Sequence, residues 1–329
     1  MNSTDAGNTF SHTVPLQMMG AIVDAPSVLI LLASFNGAAW IRQQLQSILA
    51  QRGVDISIAV RDDGSADATR AIVQELATSG RIRLLPTSSG TGSAGQNFFA
   101  LIRENPAENF DYVAFSDQDD IWDPDKLQNA CHALQADPRI ALYSSAVLAV
   151  WPDGRERILR QSTSLTRCDY LFEGAGQGCT FVLSGAFYRR VRDFMVTNPE
   201  VTRDLHYHDW PIYALARTWG LYWRFDRRPT VKYRQHGGND TGARASFGGV
   251  RKRLSLMANG WYGGEVLAVT RLCATANPSD SLVNAWRRVA ARPPSLRRQL
   301  QMAWFFVRHG RRKRADRAML IIAAILRWL

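Results

Sequence analysis

Along the first 120 residues, apolar positions switch between strand-like runs and helical spacing. Residues 28–33, Val-Leu-Ile-Leu-Leu-Ala, form a continuous apolar run closed by Ser34, Asn36 and Gly37, the pattern of a short strand buried on both faces. Ile41, Leu45, Ile48 and Leu49 then recur on one face of a helix. A second strand over 55–60 breaks at Arg61-Asp62-Asp63-Gly64-Ser65, after which 68–77 returns to helical periodicity. Residues 81–85, 96–103 and 111–115 predict a third strand, a short helix and a fourth strand. This β-α-β-α order predicts an α/β fold with a mostly parallel sheet covered by helices, and no internal repeat interrupts it.

Sheets of that kind bind ligands outside the carboxyl ends of their strands. Here those ends are acidic: the second strand runs into Asp62-Asp63, and the fourth into Ser116-Asp117-Gln118-Asp119-Asp120. Asp117 and Asp119 are two residues apart, so in extended backbone both carboxylates point to one side, where repulsion disfavours double ionisation unless a cation intervenes. Hard oxygen donors suit Mg²⁺ or Mn²⁺. Each cluster alone also reads as a polar turn leading into a helix cap, with Pro124 at the helix start. Two such clusters on one sheet edge call for a nucleotide, a metal or both.

Three further segments carry candidate chemistry. Gly90-Thr-Gly-Ser-Ala-Gly95 fits G-x-G-x-x-G but follows the third strand instead of the first, so it reads as a loop beside a nucleotide site, not as a dinucleotide fingerprint. His206-Tyr207-His208-Asp209-Trp210 precedes the apolar Ile212, Leu215 and Ala216; Asp209 at that helix start is either a cap or a general base in an aromatic setting. Both histidines read as supporting or surface groups. Tyr233-Arg234-Gln235-His236-Gly237-Gly238-Asn239 closes a β-like run over 230–233. There the alternatives are a glycine turn, or a site in which His236 completes an oxygen-rich metal shell and Arg234 meets a diphosphate.

Taken together, Ser34-Phe35-Asn36-Gly37 with Gln44, Ser47-Ile48-Leu49 and Gln51, then Arg61-Asp62-Asp63-Gly64-Ser65 with Asp67, Phe115 through Trp122, His208-Asp209-Trp210 and Tyr233 through His236 resemble family 2 glycosyltransferases of the GT-A fold. Within that family the likeness is to bacterial rhamnosyltransferases of cell-surface polysaccharide assembly, and it covers about residues 28–245 in five ordered motifs. The resemblance implies that Ser34, Asn36, Asp62, Asp63, Asp117 and Arg234 surround the donor nucleotide. It further implies that Asp119 and His236 hold Mg²⁺ or Mn²⁺ and that Asp209 is the catalytic base of an inverting transfer. It implies a nucleotide-sugar donor, dTDP-rhamnose before UDP-hexoses, and a glycan or lipid-linked saccharide acceptor. The chain departs from the family at the glycine- and serine-rich loop after the third strand, and at His208-Asp209, where Glu-Asp is common.

Charge adds a separate region. The chain of 329 residues carries a net +11, but residues 287–329 hold 12 Lys and Arg against the single acid Asp316, leaving the rest neutral. This is a basic tail on a neutral body, which suits a localised anionic surface and argues against a nucleic-acid partner. Leu300, Ala303, Trp304 and Val307 share one helical face, and Ala315, Ala318, Met319, Ile322, Ala323 and Leu326 share another beyond Arg311-Arg312-Lys313-Arg314. A basic amphipathic helix pair of this kind lies on an anionic leaflet, or caps the core with a solvated basic face. The longest apolar runs, 28–33 and 318–326, fall short of the roughly 20 residues that span a bilayer.

Residues 1–27 contain no Lys or Arg, unlike a signal peptide. The four cysteines lie far apart and read as free thiols of a reducing cytosol. The expected organisation is a tail over 1–26, a GT-A catalytic domain over 27–245 and a basic helical region over 246–329, in an enzyme on the inner face of the plasma membrane. The rival readings are a metal-dependent nucleotidyltransferase, which shares the paired carboxylates, and a basic-tailed nucleic-acid-binding protein.

Overall fold

The computed structural model describes residues 25–87, 89–237 and 259–326. Most of the expected tail, and the stretch around the expected boundary at 245, lie outside them. The apolar runs become strands β1 (Ser27–Ser34), β2 (Asp55–Asp62), β3 (Ile82–Leu84) and β4 (Tyr112–Ser116), with helices α1 (Ile41–Leu49), α2 (Thr69–Ala77) and α3 (Ala94–Glu104) between them. There follow β5 (Ile121–Trp122), α4 (Lys126–Gln135), β6 (Ile140–Val150), β7 (Glu156–Leu159), β8 (Val182–Ser184), α5 (Gly185–Thr197), α6 (Asp209–Thr218) and β9 (Tyr222–Arg234). Helices α7 (Trp261–Ala276), α8 (Ser281–Ala290), α9 (Leu296–His309) and α10 (Arg314–Ile325) complete the chain.

The strands form one mixed sheet in the order β3-β2-β1-β4-β8-β6-β9-β5, with β7 paired to β6. β3, β2, β1 and β4 run parallel, as do β6 and β9, while β8 is antiparallel to both β4 and β6. β1 is the reference strand: Leu29, Leu31 and Ala33 enter the core on one face of the sheet, and Val28, Ile30 and Leu32 the core on the other. Period-2 alternation between two covered faces is why that strand is apolar throughout from Val28 to Ala33.

The C-terminal helices share the first of those cores. Tyr262, Val266, Trp286, Phe306 and Leu320 pack in the same cluster as Leu29, Phe115 and Phe172. The link is also ionic. Arg312, its side chain fully buried, lies 3.6 Å from Asp169 and 3.2 Å from Glu173, while Arg217 of α6 reaches the other Asp169 oxygen at 2.9 Å. The Tyr213 hydroxyl donates to Asp169 at 2.6 Å, and Arg311 Nε donates to the Phe172 carbonyl at 2.8 Å. Thus the basic cluster at 311–314, expected beside a membrane, divides: Arg311 and Arg312 turn into the protein, and Lys313 and Arg314 face solvent. Two buried carboxylates at 169 and 173 need cations more than the surface does.

The outer face of α9 carries the other part of that expectation. Met302, Phe305 and Phe306 pack inward, leaving Leu296, Leu300, Trp304 and Val307 as exposed apolar side chains, with Leu296 69% exposed. Among the described residues no helix is long and apolar enough to cross a membrane.

Removing the buried cation should be costly. Arg312→Ala is expected to lower unfolding free energy by about 3 kcal/mol, because Asp169 and Glu173 stay buried with less compensation. Urea titration of the variant checks this; a change within 0.5 kcal/mol, roughly that of an exposed ion pair, contradicts it.

Candidate active site

The carboxyl ends of β1, β2 and β4 lie side by side, with Ser34 in register with Asp62 and Leu32 with Ser116. Past them the chain must turn with its acids held. Asn36 takes a left-handed conformation, φ 48°, which asparagine tolerates better than most residues. Its amide N–H donates to Ser65 Oγ at 2.8 Å, and its side-chain oxygen accepts from the Ala66 amide at 2.9 Å. Asp62 is wholly buried: its carboxylate accepts from Ser34 Oγ at 2.9 Å, from the Ser65 amide at 2.9 Å and from Ser65 Oγ at 2.6 Å. Ser34, Asn36 and Asp62 are therefore tied to one another and to Ser65, bracing the loop.

Asp63 is also buried, and the glycine-rich loop closes on it. The Thr91 amide (2.6 Å) and hydroxyl (2.9 Å) and the Gly92 amide (3.0 Å) donate to its carboxylate, with Arg61 Nη1 3.0 Å away. The loop that resembles a dinucleotide motif is thus a clamp on the second strand's acid, a role its sequence does not declare. Further along, Gly95 packs so tightly on the His206 carbonyl that a Cβ there would collide with it, which joins this loop to the segment before α6.

On β4's extension, Gln118 bonds backbone of the first loop in both directions: Phe35 N–H donates to Oε1 at 2.8 Å and Nε2 donates to the Phe35 carbonyl at 2.9 Å. Gly37 leaves room for that side chain, which a Cβ would strike. Asp119 pairs with His236 Nε2 at 2.7 Å, although 117 positions separate them. The antiparallel pairing of β5 with β9, Ile121 opposite Lys232, brings them together. His236 stacks on Trp40, centroids 5.3 Å apart, and Arg234 sits 5.1 Å over the same ring while bonding Gln43.

Asp120 is fully buried beside the Cys179 thiol. Burial first, then the charges of Asp119 and Asp117, push its carboxyl well above the usual carboxylate range. One ligand atom each from Asp117, Asp120 and Cys179 lies within 4.8 Å of the others. Burial drives the Cys179 thiol up as well, so it is a thiol, not a thiolate, and a poor metal ligand. Asp119 and His236, in contact with each other, are a carboxylate and an imidazole, donor types that suit Mg²⁺ or Mn²⁺. Lys126, whose ammonium has no hydrogen-bond partner among the described residues, lies 3.5 Å over the Trp122 ring, and burial lowers its pKa to about 7.

Asp209 is the first residue of α6, with His208 as the preceding cap and no side-chain cap bond from it. Asp209 Oδ1 accepts its neighbour's amide, Trp210 N–H, at 2.6 Å and the residue is half-buried. His208 is what anchors it: the ring stacks on Phe98 at 3.7 Å and meets Phe115 edge-on at 5.5 Å. Phe115 precedes Asp117 by two residues, so the turn bearing Asp209 is fastened to the strand that bears the acids. The sequence did not reveal Glu265. This buried carboxylate of α7 accepts the His206 amide at 2.9 Å, and burial, with the Asp209 charge adding, pushes its pKa up to about 7. Its one sequence signal is the four-residue spacing from Trp261.

A mixed, mostly parallel sheet with flanking helices and acid-bearing strand ends is the GT-A fold. The sequence profile of glycosyl transferase family 2 matches residues 29–194, and the chain belongs to that family; it is a glycosyltransferase. It is 43% identical over 255 residues, 77% of this chain and 86% of the relative, to the dTDP-rhamnosyl transferase RfbG of Shigella flexneri. It is 30% identical over 180 residues, 54% of this chain and 48% of the relative, to the succinoglycan biosynthesis protein ExoO of Rhizobium meliloti. Over 101 residues, 31% of this chain and 38% of the relative, it is 36% identical to the UDP-Glc:alpha-D-GlcNAc-diphosphoundecaprenol beta-1,3-glucosyltransferase WfgD of Escherichia coli. Among solved structures, S. aureus TarS 1-349 in complex with UDP-GlcNAc superposes with a TM-score of 0.52 at 15% identity, covering 91% of this chain and 87% of that one.

His208 supplies a pH test of this packing. Burial lowers its pKa to about 3, below the unfolded value of about 6.5. The stability it contributes is therefore complete above pH 6.5, roughly, and is lost as pH falls towards 3. His208→Phe, which keeps a ring and cannot be protonated, should gain about 2 kcal/mol on the wild type between pH 8 and pH 5 in urea titrations. Parallel curves would show that the ring is not buried as described.

Proposed function

We propose that the enzyme transfers L-rhamnose from dTDP-rhamnose, with inversion, to a hydroxyl of a glycan or lipid-linked saccharide in cell-surface polysaccharide assembly. The observation that carries the donor is the 43% identity to a dTDP-rhamnosyl transferase across 86% of that relative. Asp209, half-buried at the start of α6 beside the acid-bearing strand, removes the proton from the acceptor hydroxyl as its oxygen attacks the anomeric carbon. The bond from that carbon to the diphosphate breaks on the opposite side, and the nucleoside diphosphate leaves. General-base assistance of this kind is worth roughly 10² to 10⁴ in rate.

Asp117, Asp119 and His236 are the residues that would hold Mg²⁺ or Mn²⁺, and the ion when bound supplies positive charge against the departing diphosphate. Under this proposal Arg234, held over Trp40, meets a phosphate oxygen, and Asp63 with the loop at 90–92 meets the base. In this reading Ser34, Asn36 and Asp62 shape the donor site from behind. The tetrad's buried Asp120 and the carboxylate–histidine pair at 119 and 236 support a site finished by a cation.

The second part of the reading is location: the outer face of α9 rests on an anionic leaflet, which brings Asp209 to a lipid-linked acceptor at the inner face of the plasma membrane. Exposed Leu296, Leu300, Trp304 and Val307 flanked by exposed Arg297 and Arg308 support it. Each basic residue near such a surface adds about 1 kcal/mol. Arg308 lies 5.0 Å from the Trp304 ring, a pairing of apolar body and cationic rim that suits an interface.

Thermal shift with dTDP and UDP, each with and without Mn²⁺, tests the donor: dTDP should raise the melting temperature only with metal. UDP prevailing would move the donor to a UDP-hexose, the reading that the likeness to WfgD favours. Asp119→Ala should lose the metal-dependent shift, whereas Asp209→Asn should keep it and lose transfer by about 10² or more. Loss of nucleotide binding in both variants alike would make Asp209 structural. For location, Leu300→Glu with Trp304→Glu should abolish sedimentation with phosphatidylglycerol vesicles, and undiminished binding would remove the leaflet.

A further inference from the structure

We propose that Tyr207 and Trp261, braced by Glu265, form the subsite that receives the sugar ring of the acceptor. This deepens the reading of Asp209 as the base and rests on it. Trp261 opens α7, and its ring lies 5.6 Å from His206 and 5.7 Å from Tyr207 at steep angles of 85° and 76°. All three rings are half-exposed, two to three residues before the equally half-exposed Asp209 in the case of the 206–207 pair. Apolar rings left partly in water beside a reactive carboxylate are complementary to a saccharide. A sugar offers a C–H face for stacking and a rim of hydroxyls, one of which must reach the base.

The platform is also held rigid. Four residues on from Trp261, and so on the same face of α7, Glu265 takes the His206 amide N–H at 2.9 Å. Its other oxygen, buried, has no partner among the described residues. Trp210 stacks on Tyr262 with centroids 6.0 Å apart, so α7 and the turn bearing Asp209 form one block. The His206 carbonyl is pressed on Gly95, which fixes the block against the donor-side loop. α7 lies beyond residues 29–194, the part that matches the family profile. The acceptor platform on α7 thereby lies outside the part of the chain that carries Asp63, Asp117 and Asp119.

Kinetics on the full-length enzyme test this with a panel of octyl glycosides of hexoses, N-acetylhexosamines and 6-deoxyhexoses as soluble acceptors. Trp261→Ala and Tyr207→Ala should raise the KM for a glycoside about tenfold, leaving the donor KM and the slow hydrolysis of donor by water unchanged. Trp261→Phe should restore the acceptor KM. Glu265→Ala should raise it as well, and Glu265→Gln, which keeps an oxygen for the His206 amide, should restore it. Donor hydrolysis falling in step with transfer, an unmoved acceptor KM, or no transfer by the wild type to any glycoside would overturn the subsite. Running dTDP-rhamnose and UDP-glucose in parallel keeps the two readings apart: hydrolysis of UDP-glucose alone corrects the donor, and the acceptor KM is then measured with that donor.

Discussion

Five aspartates at one sheet edge, Asp62, Asp63, Asp117, Asp119 and Asp120, impose the constraint around which the rest of the structure is arranged. Carboxylates crowded out of water repel and lose hydration, so each needs donors, a cation or a proton. Asp62 has two serine hydroxyls and an amide, Asp63 has Arg61 and the glycine loop, and Asp119 has His236. Asp120, fully buried, has its pKa raised well above the ordinary carboxylate range. The loop after β1, the loop at 90–95 and the return of β9 are all shaped by supplying these partners.

A second consequence concerns the C-terminal helices. Their interior face belongs to the main core, and Arg312 reaches the carboxylates at 169 and 173 together with Arg217 from α6. Helix α6 begins with Asp209, so the element carrying this carboxylate is fastened on one side to the strand ends through His208 and on the other to the C-terminal region through Asp169. The outer face of α9 remains apolar and cationic. One helical region thereby completes a core of the sheet and presents an apolar and cationic face to solvent.

Much of this was legible before the fold was known, because strands buried on both faces leave an unmistakable apolar run. β1, α1, β2, α2, β3, α3 and β4 fall within a few residues of their expected bounds, and β2 extends through Asp62, because its backbone stays in register with Ser34. The stretch from 137 to 205 was unread. β7 and β8 are strands of four and three residues, too short for a local period that separates them from loops, and β6 is a near-continuous buried run without alternation. Asp209 was expected as either a cap or a base, and the cap position belongs to His208.

By itself the sequence determined the layered α/β order, the acidic strand ends, the family and the concentration of positive charge after residue 286, since all of these reside in local pattern or in ordered motifs. Only the tertiary structure decided which charges are partners. Asp119 meets His236 across 117 positions, Thr91 serves Asp63, Glu265 reaches His206, and Arg311 and Arg312 turn inward while Lys313 and Arg314 face water. The reason is physical: periodicity reports which side of an element is apolar, but the partner of a buried charge is set by which distant element packs against it.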